Sequence, residues 1–140
     1  MRVSDTLDYL AGDWALERAI VDHHAGLTGS FHGDGALRTS ERRGRYEERG
    51  RLCFGGYDGS AHRALDLVAT TGGAVAVRFT DGRPFFDLDL VTGACSAVHP
   101  CRQDRYQLEF KVGSADVLLE RWRVTGPAKN YEAQTTWRRR

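Results

Sequence analysis

The sequence predicts an all-β fold, a single closed antiparallel β-barrel of about ten strands with a short N-terminal helix. Sixteen glycines and three prolines mark turns at short, even intervals along the 140 residues. The segments between these turns, of about six to ten residues, are rich in Val, Leu, Phe, Tyr and Thr and alternate with period two. None is long enough to hold the helical crossover of a parallel sheet. We expect residues 1–140 to form one domain.

A single helix is predicted, over Asp5–Ala11, with Ser4 as its N-cap and Gly12 as its stop. The first strand follows directly, because apolar residues alternate with other residues along Trp14–Ile20. This alternation assigns the apolar side chains to the inner face of the barrel and places Arg18 there with them.

The same alternation assigns an inner face to the later strands. The penultimate strand is ambiguous, since either the set containing Leu118, Glu120, Trp122 and Val124 or the opposite set could face inward. The other predicted inner residues are Phe31, Leu37, Tyr46, Glu48, Leu52, Arg63, Leu65, Leu67, Val75, Val77, Phe79, Phe86, Leu88, Leu90, Asp104, Tyr106, Leu108, Phe110, Tyr131, Ala133, Thr135 and Trp137.

The composition argues against a nucleic-acid-binding, membrane or disulfide-rich protein. Twenty basic residues against 19 acidic ones give a net charge of +1, which provides no overall field for nucleic acid or an anionic membrane. No apolar run approaches the roughly 20 residues of a membrane span. The start of the chain does not resemble a signal peptide, so we expect a cytoplasmic protein that binds neither nucleic acid nor membrane. The three cysteines are an odd number in a chain that we expect to be cytoplasmic, so no disulfide framework is predicted.

The segment Leu10–Leu16, with its Gly-x-Trp motif, resembles the entry to the first strand in calycin-type small barrels, the lipocalin and fatty-acid-binding relatives. In that family a basic residue near the end of the last strand stacks over this tryptophan and closes the barrel floor. The resemblance therefore implies that Arg138, which follows Trp137, makes a cation–π contact with Trp14.

A second resemblance covers nearly the whole chain, to an uncharacterised microbial domain family of about this length. It implies the same fold and marks Arg83 and Phe86 as ligand-binding positions without supplying a reaction. That family often has His where this chain has Phe86, so one polar group of its site is missing here. The motifs that carry the resemblance are Trp14-x-Leu16-x-Arg18-x-Ile20, Asp81-Gly82-Arg83, His99-x-Cys101-x-x-Asp104-x-Tyr106 and Gly126-Pro127-x-Lys129-x-Tyr131.

The predicted hairpin over Ala94–Lys111 carries the candidate catalytic residues. A four-residue loop at 100–103 would place His99 directly opposite Asp104, with Tyr106 on the same inner face. A carboxylate beside an imidazole is the arrangement that a general acid or base uses. The same pair could instead hold the hairpin together as a buried structural pair, or bind a ligand.

Charged residues on the predicted inner face form a second candidate site. Arg18, Glu48 and Arg63 each lie among apolar residues of the same parity, and buried charges are costly unless they pair or meet water. They form either a buried Arg–Glu–Arg network or the wall of a water-filled cavity. In such a cavity the arginines would hold an anionic or carbonyl-bearing ligand beside Trp122.

Cys95, His99 and Cys101 have the residue types of a zinc site, but Pro100 interrupts the strand that would align them. No second pair with ligand spacing follows, so we predict neither a metal nor another cofactor.

The leading functional hypothesis is a barrel that binds a small, partly apolar, anionic or carbonyl-bearing organic molecule. The alternative is a cofactor-independent enzyme, an isomerase, cyclase or dehydratase that performs acid–base chemistry on such a molecule. A protein-interaction module with a filled core is the third possibility.

Overall fold

The computed structural model describes residues 1–140 and confirms the predicted all-β fold. A 3-10 turn at Thr71–Gly73 separates the fourth and fifth of ten strands. The elements are α1 (Thr6–Leu10), β1 (Gly12–Asp22), β2 (Leu27–Ser40), β3 (Arg43–Phe54), β4 (Tyr57–Ala69), β5 (Val75–Arg78), β6 (Pro84–Leu88), β7 (Ala94–Cys101), β8 (Asp104–Ser114), β9 (Val117–Thr125) and β10 (Asn130–Arg139).

All ten strands belong to one antiparallel sheet in the order β6-β5-β4-β3-β2-β1-β10-β9-β8-β7. The sheet curls until β6 and β7 lie side by side, but these two edges form no backbone ladder. The barrel is therefore nearly closed, and side chains rather than hydrogen bonds seal the seam between β6 and β7. No helix is long and apolar enough to cross a membrane.

The inner faces follow the predicted alternation, and the structure resolves the ambiguous strand. In β9, Leu118 and Glu120 are buried while Leu119 is 43% exposed, so the set containing Trp122 and Val124 faces inward. The register of the ladder between β5 and β6 shifts between Val77 and Arg78, and Phe85 on β6 is the extra residue of this bulge. Phe85 therefore turns into the barrel as well.

Helix α1 covers one end of the barrel and begins one residue later than predicted. Asp5, not Ser4, is the N-cap, because its carboxylate accepts a hydrogen bond from the Asp8 backbone N–H at 3.0 Å. Leu7 and Leu10, on the side of the helix that faces the barrel, are buried. The core therefore continues into this end and leaves the opposite end as the barrel mouth.

Trp14 forms the floor at the helix end, as predicted, and is fully buried. Its indole Nε1 donates to the Leu10 carbonyl at 2.9 Å, and its ring meets Trp137 edge-on at 5.8 Å. The prediction that Arg138 stacks over Trp14 is wrong. Arg139 is the ladder partner of Trp14 and places its guanidinium 4.1 Å from the ring centroid, whereas Arg138 pairs with the neighbouring position and points outward.

Candidate functional site

Three charges predicted to lie inside the barrel do meet there. Glu48 lies between two arginines and is almost completely buried. Arg18 donates to both oxygens of Glu48 at 2.9 and 3.1 Å, and Arg63 Nη2 donates to Oε2 at 3.4 Å. Neighbouring strands bring them together, since Glu48 and Arg63 are directly opposed in the ladder between β3 and β4.

A fourth charge, Glu120, completes this network and was not singled out in the sequence. Its carboxylate lies 3.8 Å from Arg18 Nη2 and accepts from Trp137 Nε1 at 3.4 Å. The sequence does not show which face of β9 points inward, so it does not identify Glu120 as an inner residue. The buried network thus contains two guanidinium groups and two carboxylates.

Hydrogen bonds hold the network rigidly around Glu48. Arg18 Nε donates to the Thr135 hydroxyl at 2.7 Å, and the Tyr46 hydroxyl donates to Glu48 Oε2 at 2.7 Å. Burial opposes ionisation of Glu48, but Arg63 and Arg18 outweigh it and lower the carboxyl pKa to about 2. Burial, with the nearby Glu48 charge, raises the pKa of Tyr46 well above its usual value. Arg18 is engaged on all its nitrogens and lines neither cavity described below.

The mouth of the barrel contains a cavity of about 310 Å³, called the mouth cavity below. Eight of its ten lining residues are hydrophobic. Burial, and then the neighbouring Tyr106, raise the pKa of Tyr131, so this phenol remains a neutral donor near pH 7. The lining residues are Arg63, Ala64, Leu65, Phe79, Phe85, His99, Cys101, Tyr106, Trp122 and Tyr131.

Arg63 and Trp122 form the base of the mouth cavity. The Arg63 guanidinium carbon lies 4.7 Å from the Trp122 ring centroid, a stacked cation–π contact. Trp122 Nε1 is buried and makes no hydrogen bond. Arg63 Nε is also buried. It lies 3.2 Å from Glu48 Oε1, but its N–H does not point at that oxygen well enough to form a hydrogen bond. The two residues at the base therefore each hold a buried N–H group that makes no hydrogen bond.

Beneath this base the interior is nearly filled. A second cavity of about 40 Å³ lies between Arg63 and Trp122 above and Trp137 below. Phe86, predicted to bind ligand, lines this lower cavity and stacks on Phe110 with centroids 5.8 Å apart. A space of this size holds about one water molecule, so an organic ligand inside the barrel must lie in the mouth cavity.

The predicted pairing of His99 with Asp104 is wrong. His99 is opposite Tyr106, and Asp104 is opposite Cys101, because the hairpin loop has two residues instead of four. Arg102 adopts φ of 57°, which allows this tighter turn. Diagonal neighbours such as His99 and Asp104 lie about 7–8 Å apart, too far for a direct hydrogen bond.

Asp104 has a different partner. Its carboxylate accepts from Lys129 Nζ at 3.0 Å, which raises the pKa of that lysine. A Cβ atom added to Gly126 would collide with Asp104 Oδ1, so the carboxylate is packed against the turn between β9 and β10. Asp104 fixes this turn and does not line the mouth cavity.

His99 and Tyr106, the other two candidate catalytic residues, do line the mouth cavity. The imidazole lies among aromatic rings, 5.1 Å from Phe85 and 5.8 Å from Tyr106 between centroids. Arg83 lies outside the cavity. Its side chain is 74% exposed and donates to Asp81 at 2.7 Å, while its guanidinium covers the outer side of Phe79.

A family of unknown function, DUF6314, matches residues 10–139. The chain belongs to this family. The match spans α1 only in part but includes every strand and every residue of the mouth cavity. No curated protein is detectably similar in sequence to this DUF6314 chain.

Solved structures resemble the DUF6314 chain in fold. The S-type phycobiliprotein lyase CPES from Guillardia theta superposes with a TM-score of 0.65 at 10% identity, over 100% of this chain and 93% of the lyase. A DUF3598-family protein of unknown function from Nostoc punctiforme gives 0.69 at 14% identity, over 99% of this chain and 51% of its own. A de novo designed fluorescence-activating β-barrel gives 0.53 at 13% identity, over 99% of this chain and 100% of the design. At these identities the similarity establishes the calycin-like barrel fold.

Proposed function

We propose that this protein binds a small, partly apolar, carbonyl-bearing organic molecule in the mouth cavity. The observation that carries the proposal is the pair of buried N–H groups without a hydrogen bond, Trp122 Nε1 and Arg63 Nε, in the two residues that form the base of a mainly aromatic cavity. An unsatisfied buried donor costs about 1–3 kcal/mol, and a ligand acceptor placed there removes that cost. The cavity's size and lining match those of small-molecule sites.

Charge balance favours a neutral carbonyl over a full anion. Arg63 already shares Glu48 with Arg18, and Glu120 supplies the second carboxylate. The buried charges therefore cancel, and an anion at the base would add an uncompensated charge. A carbonyl oxygen accepts hydrogen bonds without that cost, and it carries two lone pairs for two donors.

The neighbours' names support small-molecule chemistry in a barrel of this shape. One is called a phycobiliprotein lyase and another a fluorescence-activating barrel. Catalysis by a His–Asp pair has less support than binding, because Lys129 engages Asp104 and no carboxylate orients His99. We therefore infer that His99 and Tyr106 shape the cavity wall and contact the ligand.

Fluorescence titration with prodan tests the proposal. Prodan is a neutral naphthyl ketone whose emission reports both apolar surroundings and hydrogen bonding to its carbonyl. We expect saturable binding to the native protein, and a Trp122→Phe variant, which keeps an aromatic ring but lacks the indole N–H, should weaken it about tenfold. 2-(Dimethylamino)naphthalene, which lacks the ketone, should bind both proteins equally.

The matched control is Trp137→Phe, which removes an indole N–H from the inner wall outside the mouth cavity. This variant should bind prodan within twofold of the native protein once its fold is verified by circular dichroism. Equal affinities of native protein and Trp122→Phe for prodan would overturn the proposal, as would an absence of saturable binding.

A further inference from the structure

A groove of about 610 Å³ crosses the outer face of β2 to β5, on the side of the sheet away from the barrel interior. Four arginines line it, Arg38, Arg43, Arg45 and Arg78, and we call it the arginine groove. Ser40 and Thr80 add hydroxyl groups, Asp66 and Asp81 add carboxylates that are paired with Arg45 and Arg83, and only two of its twelve lining residues are hydrophobic. Its chemistry is therefore unlike that of the mouth cavity.

Strand register concentrates positive charge in the arginine groove. Arg38 on β2 is directly opposite Arg45 on β3. The same row of opposed residues continues with Asp66 on β4 and Arg78 on β5. Like charges that are directly opposed across a ladder destabilise a sheet. A cost of this kind is expected where the charges serve a ligand.

Local ion pairs do not neutralise the groove. Arg45 binds Asp66 at 2.6 Å, and Arg38 binds Asp13 at 2.7 Å. Arg43 and Arg78 are exposed and form no salt bridge, so two guanidinium groups are free to bind an anion.

The arginine-rich composition alone does not explain this cluster. On the outer face of β8 to β10, Arg121 is opposite Glu109 and Arg123 is opposite Glu132. Arg121 also binds Glu132 at 3.0 Å. Arginines on that face are thus matched with carboxylates, whereas in the arginine groove Arg38 is opposite Arg45, and neither Arg43 nor Arg78 forms a salt bridge.

We propose that the arginine groove binds a small compound with two or more phosphoryl groups. Guanidinium groups bind phosphate through two parallel hydrogen bonds, and the groove presents several of them together. Adjacent strands are about 4.8 Å apart, so the arginines span roughly three strand spacings and can contact several phosphoryl groups at once. The groove has no aromatic residue on which bases would stack, which favours a small anion over single-stranded nucleic acid.

Isothermal titration calorimetry with inorganic tripolyphosphate tests this proposal on the full chain. We expect saturable binding to the native protein that weakens with added salt. The double variant Arg43→Gln/Arg78→Gln should weaken binding at least tenfold while its melting temperature stays unchanged. Arg121→Gln/Arg123→Gln removes the same charge from the other face and should leave the affinity within twofold.

Three results would overturn the proposal. The first is no binding of tripolyphosphate, and the second is equal loss of affinity in both double variants, which would indicate non-specific charge attraction. The third is tighter binding of a short single-stranded oligonucleotide than of tripolyphosphate, with affinity rising with its length. None of these measurements involves the mouth cavity, so the outcome is independent of the prodan result.

Discussion

At the residue scale, two adjacent arginines at the end of β10 have opposite environments. Arg139 stacks over Trp14 and donates to the backbone carbonyls of Tyr9 and Ala11 at 2.7 and 3.0 Å. It thereby connects the last strand to the helix that covers the barrel floor. Arg138 lies on the outer face, where no salt bridge holds it.

Replacing Arg139 should therefore destabilise the floor, while replacing Arg138 should not. We expect Arg139→Gln to lower the free energy of unfolding by about 1–3 kcal/mol, because the cation–π contact and the charged hydrogen bonds are lost. Arg138→Gln should stay within about 0.5 kcal/mol of the native protein. Urea denaturation measures both, and equal values for the two variants would contradict the assignment.

Glu48 is the second residue on which the interior depends. Its pKa is lowered from 4.5 to about 2 in the folded protein, so its contribution to stability is complete above pH 4.5. That contribution is lost as the pH falls towards 2, when the folded-state carboxylate takes up a proton. A shift of this size corresponds to roughly 3 kcal/mol.

Substitution of Glu48 should remove this pH dependence. Glu48→Gln leaves Arg18 and Arg63 without their shared carboxylate, and we expect it to destabilise the protein by about 3–5 kcal/mol near neutral pH. The difference between native protein and variant should shrink as the pH is lowered from 4.5 towards 2. A difference that does not change over this range, measured by denaturation at several pH values, would show that Glu48 is not held ionised by the arginines.

At the element scale, the hairpin of β7 and β8 shows where sequence reasoning failed. Pro100 predicts an end to the strand, but β7 is an edge strand, where a proline is tolerated if its missing N–H would have faced away from the sheet. The strand therefore continues to Cys101, and a two-residue loop follows. The loop contains no glycine that would have revealed it in the sequence, and Arg102 itself adopts the left-handed backbone conformation.

The strained loop position predicts an unusual response to glycine. Arg102→Gly should leave the melting temperature unchanged or raise it, because glycine adopts a positive φ without the cost of about 1–2 kcal/mol that other residues incur. Gln103→Gly, at the neighbouring position with ordinary φ, should lower it through added chain entropy. A larger loss of stability for Arg102→Gly than for Gln103→Gly would contradict the two-residue loop.

At the scale of the whole molecule, alternation was enough to predict the barrel and most of its inner face. Trp14, Arg18, Glu48 and Arg63 lie inside, as their parity indicates. Parity does not show which inner residues meet across the barrel, so the contact of Glu120 with Arg18 was not predictable. The cavity's division into an open mouth and a nearly filled interior depends on how large side chains such as Phe85 and Trp122 pack, which no local pattern encodes.

The central claim, that a ligand acceptor meets the base of the mouth cavity, is tested most directly by the indole N–H signals in a ¹H–¹⁵N correlation NMR spectrum. The chain has three tryptophans, and the Trp122→Phe variant assigns the relevant signal. Trp14 and Trp137 already donate to Leu10 and Glu120, whereas Trp122 has no acceptor. Saturation with prodan should shift the Trp122 signal downfield and leave the other two in place. Bound prodan that shifts Trp14 or Trp137 and leaves Trp122 unmoved would contradict the account.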